Sequence, residues 1–238
     1  MKDDVDIASL GDLLDQLRSA DATRRVFGSS VHGYRMGPVL SEADILSFES
    51  SNELRLPDDY RRFLAIVGNG GAGPFYGLEP LGTFGRDLSK PFPLVRSTED
   101  EPDETAPDSE FFGGVLDICH QGCGIFSYLV VNGPTFGTMW DGREDWWPTG
   151  LSFGAWYRSW AQRALTALSN EHLVSRLRVG MSRSDVLDTT GGDWVARPAF
   201  GRTISYFEAS DIPAQLELDE HGIVVKITPW ASIGAFPR

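Results

Sequence analysis

Between residues 57 and 67, Tyr60, Phe63, Leu64 and Val67 fall at i, i+3, i+4 and i+7 with Arg61 and Arg62 between them, the spacing of one buried stripe on a helix. Pro57 suits the first helical position, where no backbone donor is needed, and Asp58 and Asp59 set negative charge against the positive end of the helix dipole. Gly68 or Gly70 can take the left-handed conformation that closes this helix, and Gly71-Ala72-Gly73-Pro74 turns the chain into a short strand at Phe75 to Leu78. Ile7, Leu10, Leu14 and Leu17 repeat the helical spacing and predict an amphipathic helix over residues 4 to 20. Residues 21 to 38, with Gly28, Gly33 and Gly37, read as a connection. Ser41 and Asp44 have the S-x-x-D form of a capping box and start a helix carrying Ile45, Leu46 and Phe48.

Beyond residue 74 the rhythm changes to that of strands. Phe75 to Leu78 and Pro93 to Val95 are short apolar runs, and the stretch from Ser97 to Glu110 is acidic, holds Pro102 and Pro107 and reads as a solvated loop. Val115 to Cys119, Ile125 to Val131 and Phe136 to Trp140 are separated by Gly122-Cys123-Gly124 and Asn132-Gly133-Pro134. Connections this short cannot hold crossover helices, so the three strands form an antiparallel meander. Asp141 to Gly150 reads as a polar loop holding Trp146 and Trp147. Ser152 then caps a helix with Phe153, Trp156, Tyr157 and Trp160 on one stripe, continued to Leu168.

Residues 169 to 238 read as a smaller unit. A helical start over Glu171 to Arg178 is followed by a second capping box at Ser182 and Asp185, Gly191-Gly192 ends that helix, and Arg202 to Phe207, Ala214 to Leu218 and Ile223 to Ile227 alternate as strands. The expected architecture is α+β: a domain over residues 1 to 168, with helices on a mainly antiparallel sheet, and a helix-and-antiparallel-sheet unit over 169 to 238.

Composition narrows the chemistry. The 238 residues are 41% hydrophobic and 11% aromatic, and 34 acidic against 21 basic side chains leave a net charge of −13. That charge argues against direct nucleic-acid binding, which needs a basic face to neutralise phosphates. It serves solubility, or complements a basic partner. The sequence has no run of about 18 apolar residues with which to span a bilayer, and the start of the chain lacks the basic and apolar regions of a signal peptide, so a cytoplasmic location is expected. Gly68, Gly70 and Gly73 satisfy a bare G-x-G-x-x-G, yet they close a helix instead of opening one, which is the wrong context for a dinucleotide. Cys119 and Cys123, with histidines at 32, 120, 172 and 221, do not make the paired spacing of a zinc site. Neither G-x-S-x-G nor H-E-x-x-H occurs. No metal, cofactor or catalytic residue is therefore expected.

Three stretches stand out as partner-binding candidates. The acidic loop carries Glu99, Asp100, Glu101, Asp103, Glu104, Asp108 and Glu110, which either lie simply exposed or raise encounter rates with a basic surface. Trp146 and Trp147 either anchor an interface or fold back over the closing helix. The glycine-rich rim at Asn69, Gly70 and Gly71 is the third.

The run Leu56-Pro57-Asp58-Asp59-Tyr60-Arg61-Arg62-Phe63-Leu64 with Asn69-Gly70-Gly71, followed in order by Gly122-Cys123-Gly124, Leu129 to Pro134, Gly137 to Trp140 and Ser152-Phe153 with Trp156-Tyr157, resembles the SUKH superfamily over roughly residues 40 to 168. That superfamily includes fungal regulators of cell-wall assembly and many bacterial immunity proteins. The resemblance implies a non-enzymatic protein that neutralises a toxin, a basic nuclease being one candidate, by direct binding. Its fungal side implies the alternative, an intracellular scaffold or regulatory adaptor without a toxin. Small-molecule sensing in a glycine-lined cleft is a third expectation.

Overall fold

A computed structural model describes residues 5–98, 113–143, 145–199, 204–209 and 211–229. The chain is α+β, with two antiparallel four-stranded sheets and helices packed against them. It divides into two compact units, Met1–Arg18 with Gly28–Ala161, and Ser19–Phe27 with Gln162–Arg238.

Local signals set the helices of the first unit. Helix α1 spans Ser9–Ala20 and buries Leu10, Leu14 and Leu17. It starts later than its apolar spacing predicts because the Asp6 carboxylate accepts the Ala8 N–H and holds a turn ahead of it. The short α2 is Ser29–His32. Helix α3, Glu42–Ser51, opens on the expected capping box, with Ser41 and Asp44 each accepting the other's backbone N–H. Helix α4, Asp58–Ile66, buries Tyr60, Phe63 and Leu64. Pro57 stands at its N-cap instead of its first turn. Arg61 joins α4 to α3 through Glu42 and the buried Glu49, whose carboxylate also accepts the Leu56 N–H at 2.9 Å.

The first sheet runs β1 (Val115–Gly122), β2 (Ile125–Val130), β3 (Thr138–Gly142) and β4 (Trp146–Ser152) in that spatial order. One face buries Val115, Tyr128, Val130, Trp140 and Trp146 against Phe92 and Leu94. The expected polar loop at 141–150 is instead the end of β3 and the greater part of β4. Pro148 argues against a strand in the sequence, but β4 is an edge, where a missing N–H costs no ladder bond. Gly142 permits the arrangement, since a Cβ there would sit 2.6 Å from the Trp146 ring. Conversely, Phe75 to Leu78 is no strand: Phe75 has φ 51°, Gly77 N–H returns to the Pro74 carbonyl, and only Leu78 bridges β1 at Cys119. Pro93 to Val95 is also irregular, as suits a segment in which Pro91 and Pro93 lack donors.

Helix α5 spans Phe153–Val174 without a break across residues 168 and 169, so the helical start expected at Glu171 is the end of this longer helix. In the first unit its opening aromatics meet α4: Phe153 lies edge-on to Tyr60 and Phe63 at ring separations of 4.7 and 4.9 Å, and Tyr157 lies 5.0 Å from Phe63.

In the second unit α6, Arg183–Thr190, starts on the Ser182–Asp185 capping box. The sheet β5 (Val195–Pro198), β6 (Ser205–Ala209), β7 (Ile212–Leu218) and β8 (Val224–Pro229) is a meander in sequence order. Val186, Leu177 and Met181 cover Phe207, Leu216, Leu218 and Val224. β5 is absent from the sequence reading because all four of its residues are exposed and leave no alternation to detect. Asp219 shapes the β7–β8 turn by accepting the N–H groups of His221 and Ile223, both at 2.9 Å.

Candidate functional site

The glycine-rich rim is a half-buried junction of chain segments. Asn69 Oδ1 accepts the Leu81 N–H at 2.7 Å, and the Gly70 carbonyl accepts the Gly37 N–H at 2.9 Å. Gly71 bridges both Met36 and Leu78. Gly71 has φ 103°, and a Cβ on it would lie 2.4 Å from the Arg35 carbonyl oxygen, so three chain segments can meet there only around a glycine. From the other side Tyr157 donates its hydroxyl to the Ala72 carbonyl at 3.0 Å. Gly70 is buried, while Asn69 and Gly71 are half-buried and bond to neighbouring segments of the fold.

The two tryptophans part company. Trp146 is 1% exposed and stacks on Tyr128 at 4.2 Å within the core, so it offers a partner no surface; its core lies among Phe92, Tyr128 and Trp140 instead of over Trp156. Trp147, opposite Asp141 in the register, is half-buried on the other face of the sheet. Glu99, Asp100, Glu101, Asp103, Glu104, Asp108 and Glu110 lie outside the described residues.

Among the described residues no group of three His, Cys, Asp or Glu side chains could hold a metal. Cys119 is buried and donates its thiol to the Pro74 carbonyl at 3.0 Å, and burial pushes the thiol well above its ordinary range. Cys123 is exposed in the β1–β2 turn at φ 52°. His32 is buried and accepts the Tyr34 N–H, whereas His172 and His221 lie apart on exposed segments.

What the fold does assemble is a row of rings on the β1–β2 end of the first sheet. His120 and Phe126 are cross-strand partners with rings 4.7 Å apart. Tyr76 stacks on His120 at 5.6 Å, and Phe84 stands edge-on to Phe126 at 5.6 Å. Tyr76 is 46% and Phe84 43% exposed. Beside the row, Arg86 makes a two-pronged ion pair with the buried Asp117, Nε to Oδ2 at 2.7 Å and Nη2 to Oδ1 at 3.0 Å, and its guanidinium lies 5.0 Å from the Tyr128 ring centroid. Burial is the main reason the Tyr128 phenol is pushed up to about 12, with Arg86 acting against it. Toward the other face, Gln121 donates its amide to Ser127 and to Asp141 at 2.8 and 2.6 Å, and the buried Ser127 hydroxyl donates to the same Asp141 oxygen at 2.6 Å. This network ties three strands together and spends the Ser127 proton on a carboxylate.

Tyr76, Phe84, His120 and Phe126 are absent from the sequence reading. They come from four separate places in the chain, and the one local signal available was the alternation that aligns His120 with Phe126 across a hairpin. No helix among the described residues is long and apolar enough to cross a membrane. No family model, curated protein or solved structure matches the chain.

Proposed function

We propose that this chain is a non-enzymatic, cytoplasmic binding protein of the immunity type, which neutralises a toxin by direct contact and without turnover. The observation that carries the reading is the ordered set of motifs from Leu56 to Tyr157 that resembles the SUKH superfamily. Two features agree with it. A net charge of −13 speeds encounter with a basic effector such as a nuclease, and exposed aromatic rings beside a buried ion pair are the side chains that anchor protein interfaces.

The test is affinity capture with the full chain from its native host, followed by mass spectrometry and by co-expression of the chain with the recovered partner. A cytotoxic effector is the expected partner, and co-expression restores growth. Recovery of a cell-wall regulatory assembly, with no protection from any effector, would replace this reading with the scaffold one.

A further inference from the structure

We infer that His32 is an acid-sensitive latch: its neutral ring holds residues 33–37 on a strained path against the Gly71 junction, and a proton on Nδ1 releases them. The latch is a property of the free chain and stands apart from the protein-binding reading above. His32 closes α2 and is buried. Its Nδ1 accepts the Tyr34 N–H at 3.1 Å in a buried setting. A backbone amide can only donate, so this contact requires the tautomer that leaves Nδ1 bare. In the protonated ring both nitrogens carry hydrogens, and two N–H groups would then point at each other.

The path that this bond secures is unfavourable by itself. Gly33 and Tyr34 both have φ 58°, in the left-handed region, where a side chain such as that of Tyr34 crowds its own backbone. Tyr34 is buried and stands edge-on to the His32 ring at 5.3 Å, so loss of the bond leaves a buried amide without its acceptor. From this kink the chain runs directly into the junction. The Arg35 carbonyl accepts the Ala72 N–H at 2.9 Å, Met36 bridges Gly71, and the Gly37 N–H reaches the Gly70 carbonyl at 2.9 Å. A change at His32 is therefore passed, within a few residues, to the place where three segments meet.

The groups around the ring leave the switch to the imidazole. The Tyr34 phenol belongs to the edge-on ring, Arg35 turns its guanidinium back over Gly33, where a Cβ would meet Nη1 at 3.4 Å, and Arg18 of α1, paired with Asp15, donates to the Tyr34 carbonyl. Gly77 packs on the ring edge, a Cβ there lying 3.5 Å from Cδ2, with the Tyr76 phenol next to it in the chain. The ring thus has little room to turn away from Tyr34. Phenols, guanidiniums and carboxylates ordinarily change charge outside the interval from about pH 5 to about pH 7, and an imidazole within it. Stability contributed by the neutral ring is complete above about pH 6.5, the ordinary value for histidine in an unfolded chain, and is lost as the pH falls below it.

Amide exchange of the full chain, followed by NMR and corrected for the intrinsic effect of pH, reads the latch directly. The protection of the Tyr34, Gly37 and Ala72 amides should fall about tenfold from about pH 7 to about pH 5. His32→Asn sets Oδ1 where Nδ1 stands and takes up no proton in this range, so its protection should stay level. The same substitution at His120 should leave the fall intact. Nitrogen NMR of the parent at about pH 7 gives a second reading that needs no variant: Nδ1 of His32 should show the shift of a bare, accepting nitrogen and Nε2 that of a protonated one. Level protection in the parent, an equal fall in His32→Asn, a fall abolished by His120→Asn instead, or the opposite tautomer would overturn the latch.

Discussion

Asp117 is a buried carboxylate at 4% exposure whose two oxygens both accept from Arg86, itself 25% exposed. Replacing it by asparagine keeps the shape and removes the charge that compensates the guanidinium. Asp117→Asn should cost about 2 to 4 kcal/mol, at or below the usual range for breaking a buried pair because Arg86 keeps partial access to water. Urea unfolding of the variant and parent measures this, and a loss below about 0.5 kcal/mol would show that the pair contributes no more than an exposed one. The variant should also loosen the Phe84 end of the ring row. At this scale, neighbours in sequence have opposite fates: Trp146 is core and Trp147 half-buried because strand parity sends successive side chains to opposite faces.

At the scale of elements, helices α4 and α5 are joined by more than their aromatic contacts. Asp58 and Asp59 read in the sequence as charges suited to the start of α4, and both lie in its first turn. Asp59 does something further: its Oδ2 accepts the Gly154 N–H at 2.9 Å, so a side chain 95 positions away caps the start of α5. Ser152, the cap expected from the sequence, makes only a long bond of 3.5 Å from Ala155. Asp59→Ala should therefore destabilise the chain by about 1 to 2 kcal/mol, whereas Ser152→Ala should cost less than about 0.5 kcal/mol. Denaturant midpoints for the two variants decide the matter, and the reverse order would return the cap to Ser152.

Across the whole molecule, three buried phenols link stability to pH. Burial raises Tyr60 and Tyr157 far above the ordinary value of 10.0, and it raises Tyr128 to about 12 against the pull of Arg86. The unfolded chain ionises these groups near their ordinary value, while the folded chain holds them neutral. Their contribution is thus complete below about pH 10 and is lost as the pH climbs through about 12. Urea midpoints measured from about pH 8 to about pH 12 should stay level and then fall. Tyr128→Phe should make that fall shallower, and a level profile throughout would mean that the three rings reach water in the folded chain.

The features legible from residues alone are those whose cause lies within about four positions. Both capping boxes, the buried stripe of α4, the hairpin turns and the α+β class follow from side chains that act on their own or the next turn of backbone. Strand β4 was hidden because Pro148 is acceptable only at a sheet edge, and β5 because an exposed strand shows no alternation. Asn69 to Gly71 looked like an open rim, since nothing local reveals that Arg35, Met36 and Leu78 converge on it. The row from Tyr76 to Phe126 leaves one local trace, the hairpin alternation that aligns His120 with Phe126, and none for Tyr76 and Phe84. Its members meet because β1 and β2 pair and because two loops are fastened to β1 by a backbone bridge and an ion pair. Contacts of that range are chosen by packing against the completed sheet, where burial and pairing across dozens of residues outweigh local preference.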